Sequence, residues 1–384
     1  MTRLNTALIG VGAWGRVLAK AASQSDKIEF TCCVGRNPDR LATFSRDIGV
    51  PARDIDGVLA DKNITAVALA LPNELHFAVA HRAAAAGKHV YIEKPIANTM
   101  TDALAIAALE NAHGVRIVVG HCARLLAGVR AIRKAIDGGK LGKLSQIEAN
   151  FSNDRGLRLT PEDWRWYSKS SPGGSLSQIA IHQFDTLRYL GGDIAAVSAS
   201  AGRHSSVGAE VEDQWIVAVH FADGKRGSVI SSWTSPGTFS VRATASDALM
   251  FYEIDQTHWG APERLHENAT LYLQARGKGP ADRRTIDVAA GNMYRDELEM
   301  FVDSIASGAP CELSAANGCQ AVAAVYASLK SAKEDSRAVS LSEIIAAAAD
   351  RRLAEDQENH RLYQTSQREI TPNLRSTSTG GRHA

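Results

Sequence analysis

Cysteine is scarce: five residues in 384, with Cys32 and Cys33 adjacent, Cys122, Cys311 and Cys319 scattered, and no Cys-x-x-Cys pair. That usage excludes a disulfide framework and points to reduced, buried thiols in a cytoplasmic protein. A surplus of either charge is missing too, since 43 Lys and Arg face 42 Asp and Glu, a formal net charge of +1. Nucleic-acid binders ordinarily need a basic excess against phosphates, so no nucleic-acid partner is expected. No apolar run approaches the roughly 18 residues of a membrane helix, and the glycine-broken opening MTRLNTALIGVGAWG reads as neither leader nor span. His, Asp and Glu lack the clustered spacing of a zinc site, so no metal is expected. No repeat recurs at a fixed period.

What is present is ordinary globular composition, 45% hydrophobic and 22% charged. At roughly 150 residues per domain, the length suits two or three domains. Through residue 121, short apolar runs alternate with helical stretches. Thr6 to Ile9, Phe30 to Val34, Ala66 to Leu71, His89 to Ile92 and Val115 to Val119 read as strands. Helices are predicted over Ala13 to Ser23 and Asp39 to Asp47. Strands that are apolar throughout, alternating with helices, indicate a doubly wound parallel sheet covered on both faces. Beyond Cys122 and one helix (Ala127 to Asp137), β-rich segments follow each other without helices, from Ser145 to Ser152 through Leu249 to Ile254. These predict a large, mainly antiparallel open sheet. Helices close it, near Met293 to Ser307 and Ala315 to Ser331. The expected division is therefore 1–121, 122–345 and a C-terminal helix with a mobile tail over 346–384, where large apolar residues thin out.

The first strand runs into Gly10-Val11-Gly12-Ala13-Trp14-Gly15. A G-x-G-x-x-G after a strand and opening a helix has the context of a dinucleotide fingerprint. Gly10 permits the tight turn, Gly12 lets the backbone approach a pyrophosphate, and Gly15 allows close helix–strand packing. Where an acid would accept the ribose 2′-hydroxyl of NAD, this chain has Gly35, then Arg36 and Arg40. Guanidinium without carboxylate suits a 2′-phosphate, so NAD(P) is expected with NADP favoured over NAD.

Two further signals carry chemistry. Val90 to Ile92 leads into Glu93-Lys94-Pro95, placing Lys94 at the carboxyl edge of the parallel sheet, where it can bind a hydroxyl and stabilise alkoxide charge. After Gly173-Gly174, a helix sets Gln178, His182 and Asp185 on one face at i, i+4 and i+7. Between Asn150 and Trp166 lie Arg155, Arg158, Trp164, Arg165 and Trp166. A guanidinium there suits a carboxylate and an aromatic wall suits a ring; equally, these arginines can pair with Asp154, Glu162 and Asp163 on the surface.

Taken together, GVGAWG, LPNELH, EKP, VVGH, KLGKL, Trp164-Arg165 before Gly173-Gly174, the His182-to-Asp185 element, and Tyr294, Glu297 and Phe301 resemble the Gfo/Idh/MocA oxidoreductase family over about residues 4 to 345. The resemblance implies a Rossmann domain followed by an α/β domain whose open sheet makes subunit contacts, hence a homo-oligomer, dimer or tetramer. It implies that Lys94 is the family's lysine and that His182 exchanges a proton with the reacting hydroxyl. Gln178 stands where the family often has Asp; it can orient His182 or bind substrate but cannot ionise. The cofactor set implied is Gly10, Gly12, Ala13, Trp14, Gly15, Arg36, Arg40, Pro72, Asn73, His76, Glu93 and Lys94. The substrate set is Lys94, Arg158, Trp164, Arg165, Gln178 and His182. The implied function is hydride transfer between NAD(P) and a hydroxyl-bearing carbon of a sugar, cyclitol or other polyol. Alternatives are a dehydrogenase of a carboxylated cyclic cis-dihydrodiol, a non-catalytic NAD(P)-binding regulator, and a hydrolase or lyase using transient oxidation by held NAD.

Overall fold

A computed structural model describes residues 3–354. Its first sheet is wholly parallel, in the order β2-β1-β3-β4-β5. The strands are β1 (Leu4–Ile9), β2 (Ile28–Val34), β3 (Ala66–Leu69), β4 (His89–Glu93) and β5 (Ile117–Gly120). Helices α1 (Ala13–Ser23), α2 (Pro38–Ile48), α3 (Ile55–Ala60), α4 (His76–Ala85) and α5 (Met100–His113) connect them. Every residue of β3 and β5 is buried, which is why these strands read as unbroken apolar runs rather than alternating ones. Local chemistry sets the helix ends. Asn37 caps α2 by accepting from the Arg40 amide, Pro38 pre-sets its first turn, and Gly49 closes it at φ 78°. Helix α1 differs: Gly12 stands at its N-cap with no side-chain acceptor, so its first amides remain free.

The second sheet has nine strands, ordered β13-β12-β11-β10-β6-β9-β8-β7-β14. They are β6 (Leu144–Ser152), β7 (Ile194–Gly202), β8 (Gln214–Phe221), β9 (Arg226–Ser232), β10 (Thr238–Ala245), β11 (Ala248–Ile254), β12 (Thr270–Ala275), β13 (Arg284–Thr285) and β14 (Val339–Ser340). Only β6 and β9 pair in parallel. Helices α6 (Ala127–Asp137), α7 (Ile181–Gly191), α8 (Met293–Ser307), α9 (Ala315–Lys333) and α10 (341–354) complete the described chain. One sheet face is packed: β10 buries Phe239, Val241 and Ala243 and turns Ser240, Arg242 and Thr244 outward. The outer face carries Ile216 and Ile230, paired across β8 and β9 and 64% and 42% exposed.

The architecture matches the α/β reading. Within the expected 122–345 unit, α8 and α9 return to the first sheet. The Val119 amide donates to the Leu313 carbonyl at 2.8 Å, and Lys27 pairs with Asp303 at 2.7 Å. Apolar anchors drive this return: Tyr294 and Phe301 are buried and set edge-on to Trp14 and Tyr91 respectively. The helix expected from residue 346 begins at 341, and residues 355–384 of the expected tail lie outside the described residues.

Candidate active site

The loop after β1 behaves as a cradle. A Cβ on Gly10, whose φ is +119°, would lie 2.2 Å from the Ala70 carbonyl oxygen, and one on Gly15 would lie 2.2 Å from the Gly10 oxygen. Both positions therefore exclude side chains on steric grounds. A Cβ on Gly12 would meet nothing within 4 Å. Thus the outer glycines shape the turn, and the middle one presents bare backbone and free α1 amides to open space, as a pyrophosphate requires. A cavity of about 480 Å³ adjoins it, lined by Val11, Gly12, Ala13, Arg16, Asp39, Arg40 and Thr43. Arg40 faces this cavity; Arg36 is exposed and is not among its lining residues. Two charged lining residues, Arg16 and Asp39, escaped the sequence reading. Arg16 pairs with Asp47 at 3.0 Å and lies over the Phe44 ring. Asp39 supplies a carboxylate four residues past the strand-end position.

A second cavity of about 380 Å³ lies where the two sheets meet. Trp14, Asn73, Glu93 and Lys94 reach it from the first domain, and Arg155, Trp164, Arg165, Gln178, His182 and Trp259 from the second. Trp14 stands in the first turn of α1 and Asn73 in the turn after β3, so the cavity joins the glycine-loop side of the cleft to the second sheet's side. The Asn73 side chain is buried, and its Nδ2 has no hydrogen-bond partner, leaving an orphan donor at the wall. Such a donor fits a group bound there, such as a carboxamide.

Lys94 Nζ donates to the Gln178 carbonyl at 2.7 Å, tying the end of β4 to the second domain. Burial pulls the Lys94 ammonium below its ordinary range, with the adjacent Glu93 opposing that pull. His182 is 2% exposed, and its Nδ1 has no hydrogen-bond partner. Phe151, Trp259 and His121 surround the ring at centroid distances of 5.8, 5.4 and 6.4 Å. Burial first, then the Lys94 and His121 charges, push its pKa well below the usual histidine value. The imidazole is therefore neutral and able to accept a proton.

Gln178 lines the same cavity but does not orient His182. It sits in a π turn, Leu176–Ala180, that precedes α7, and its side-chain amide turns to Ser177 Oγ at 3.5 Å. Asp185 departs from the shared face altogether. Its carboxylate takes a two-point grip from the buried Arg124, with Nε to Oδ2 at 2.7 Å. This pair fixes α7 to the turn after β5.

Behind Lys94 lies a polar cluster that spacing did not disclose. The Tyr91 hydroxyl lies 2.6 Å from a Glu297 oxygen and 3.0 Å from a Glu93 oxygen. Burial raises both carboxyl groups above the usual range, and the like charge of Glu93 makes Glu297 harder still to ionise. Tyr91 and Glu93 stand two apart on one strand, and so share a face. That period was a usable signal; their partner, 206 residues further on, gave none.

Several expected contacts are corrected. His76 is wholly buried, and its ring nitrogens face the Pro95 and Leu71 carbonyls at 3.0 and 3.1 Å. It holds two loops together instead of facing the cofactor cavity. Pro72 is exposed, outside the lining of either cavity, and sets the turn before Asn73. Arg158 points outward, 72% exposed, to Asp154 at 2.6 Å, so the bland surface pairing holds for it. Trp164 and Arg165 do line the Lys94 cavity.

Comparison with known proteins agrees with this geometry. The family described as an oxidoreductase family with an NAD-binding Rossmann fold matches residues 4–121, and the GFO/IDH/MocA C-terminal domain matches residues 129–249. Levoglucosan dehydrogenase of Pseudarthrobacter phenanthrenivorans is 26% identical over 291 residues, 66% of this chain and 75% of that protein. Inositol 2-dehydrogenase of Rhizobium meliloti is 26% identical over 334 residues, 85% of this chain and 96% of that protein. A crystal structure assigned to an NADPH-dependent oxidoreductase of Desulfitobacterium hafniense has a TM-score of 0.85 at 31% identity, covering 90% of this chain and 100% of that one. With its Rossmann half and its open-sheet half both matched, the chain belongs to the GFO/IDH/MocA oxidoreductase family.

Proposed function

We propose that the protein transfers a hydride between NAD(P) and a hydroxyl-bearing carbon of a sugar, cyclitol or other polyol. One observation carries this reading: Lys94, just after β4 of the first sheet, and His182, on α7 against the second, line one cavity with Trp14 and Asn73 of the nucleotide side. The names of the matched sugar and cyclitol dehydrogenases support the substrate class.

When bound, the nicotinamide supplies the hydride acceptor or donor. The chain's own groups do the rest. The Lys94 ammonium, already anchored on the Gln178 carbonyl, has further protons to donate to a hydroxyl oxygen. Neutral His182 takes the hydroxyl proton in the oxidation direction and returns it in reduction. Phe151, Trp164 and Trp259 wall the cavity with apolar surface, which keeps water from the reacting carbon. Arg40, with Arg36 nearby in sequence, favours NADP over NAD, whereas Asp39 on the same wall is the group that would favour NAD. The outward Ile216–Ile230 pair supports a second copy of the chain on the open sheet.

The test is a panel of sugars, cyclitols and cyclic diols with each nicotinamide cofactor. Lys94→Ala and His182→Ala should each bind cofactor normally and lose on the order of 100- to 10,000-fold in turnover. Unchanged turnover in both variants refutes the assignment. Tight cofactor binding with no turnover of any panel member by the wild type favours a regulator instead.

A further inference from the structure

We infer that the substrate carries a carboxylate, received by the guanidinium groups of Arg155 and Arg165 on the second-domain wall of the Lys94–His182 cavity. This deepens the hydride-transfer reading and rests on it for the reacting end of the substrate.

The wall of that cavity is out of charge balance. Lys94, Arg155 and Arg165 line it as cations, and Glu93 is its one carboxylate. Glu93 is already engaged from behind by the Tyr91 hydroxyl at 3.0 Å. Among the described residues, neither Arg155 nor Arg165 has an acidic partner within ion-pair distance. Their acidic neighbours are taken: Asp154 Oδ1 accepts from Arg158 at 2.6 Å, and Asp163 Oδ2 accepts from the Thr160 amide at 3.1 Å. Elsewhere arginines find carboxylates readily, as Arg53 does with Asp61 at 2.7 Å.

Arg165 is also held over an aromatic ring. Its guanidinium carbon lies 4.1 Å from the Trp164 ring centroid. Stacking of this kind uses the face of the guanidinium and leaves its N–H edge to grip a planar acid with two parallel bonds. Burial, together with the charge of Arg155, pulls Arg165 down to about 10, so an anion between the two would relieve a standing repulsion. A space of about 380 Å³ accommodates a six-carbon ring with one carboxylate. In that pose the acid group meets the arginines and a hydroxyl meets Lys94 and His182.

The experiment is calorimetry on the full chain saturated with NAD(P), using pairs that differ only in one acid group: D-glucuronate and D-glucose, D-galacturonate and D-galactose. Glucose 6-phosphate is added as a non-planar anion. At least one acid should bind roughly tenfold or more tighter than its neutral partner at about 20 mM salt, with the gap shrinking at about 500 mM. Arg165→Gln and Arg155→Gln should erase the gap by weakening the acid more than its neutral partner, and Arg165→Lys should restore only part of it. No acid preference in any pair, including no binding by any acid, overturns the proposal, as does a phosphate ester binding more tightly than every carboxylate. Acid preference without any nicotinamide absorbance change leaves the anion site standing and removes the hydride-transfer reading. Turnover of neutral sugars without acid preference does the reverse.

Discussion

The phosphate cradle separates two glycines that look alike in the sequence. Gly12→Ala puts a methyl into space with no neighbour within 4 Å, on a backbone with φ −83° and ψ −172° that any residue adopts. Its folding cost is small, within about 1 kcal/mol, because reduced unfolded-state entropy offsets a poorer N-cap. Gly10→Ala forces φ +119° on a residue with a side chain and drives its Cβ to 2.2 Å from the Ala70 oxygen. The conformational strain costs about 1 to 2 kcal/mol and the overlap about 1 to 3 kcal/mol more. Urea unfolding followed by tryptophan fluorescence, with cofactor titration on the same samples, reads both effects. Gly12→Ala should unfold like the wild type yet bind NAD(P) at least roughly tenfold more weakly, about 1.4 kcal/mol. Gly10→Ala should lose about 2 to 5 kcal/mol of stability. Wild-type cofactor affinity in Gly12→Ala would show that no diphosphate lies against that backbone, and the cradle argument would fail.

Acidity supplies a second check. His182 must be neutral to accept a proton, and its lowered pKa places the acid limb of kcat/KM below the ordinary histidine value of about 6.5. On the proposed mechanism Lys94 acts as a cation and loses its charge as pH rises, so the alkaline limb should fall below the ordinary lysine value of about 10.4. A limb at either ordinary value contradicts the burial argument. Asp185→Asn leaves the Arg124 guanidinium buried without its counter-charge and should cost about 3 to 5 kcal/mol in urea unfolding. Burial pushes the Asp185 pKa up, but the charge and hydrogen bonds of Arg124, with the His121 and Arg188 charges, together outweigh it, so the pKa is lowered on folding. Its contribution is therefore present above the ordinary aspartate range and lost as pH falls through the folded value; the Asn variant should lose that part of the acid dependence. Arg40→Ala should weaken NADP by roughly tenfold and leave NAD almost unchanged; equal losses for the two would place the 2′-phosphate elsewhere.

Much of the fold was legible because its cause is local. Strands such as Ala66–Leu69 are covered on both faces, so burial writes itself as a continuous apolar run. The strands β12, β13 and β14 went unread for the opposite reason. The edge strands β13 and β14 are only two residues long, and β12 lies next to one of them, where few neighbours demand a pattern. Within the site, the positions of Lys94, His182 and the glycine loop could be picked out from motif and resemblance; their roles belong to the proposal. Asp185 misled because helical spacing says which residues neighbour each other along one element. It says nothing of Arg124, 61 residues earlier, which claims that carboxylate. His76 misled in the same way: two loops converge on its ring and consume both nitrogens. Arg155, Arg158 and Arg165 were indistinguishable in sequence, and only the order in which neighbouring acids were claimed separated them.

The return of α8 and α9 has a mechanical meaning. Helix α9 packs on α5 and β5 on one side and on α7 and β7 on the other, so it is a shared wall. The backbone passes between the halves near residue 121 and again near residue 292. Rotation about a single connector is thereby forbidden: any widening of the cleft has to flex both crossings together or shear the halves along α9. A cleft built this way would widen by small sliding steps of packed helices, not by the swing of one hinge.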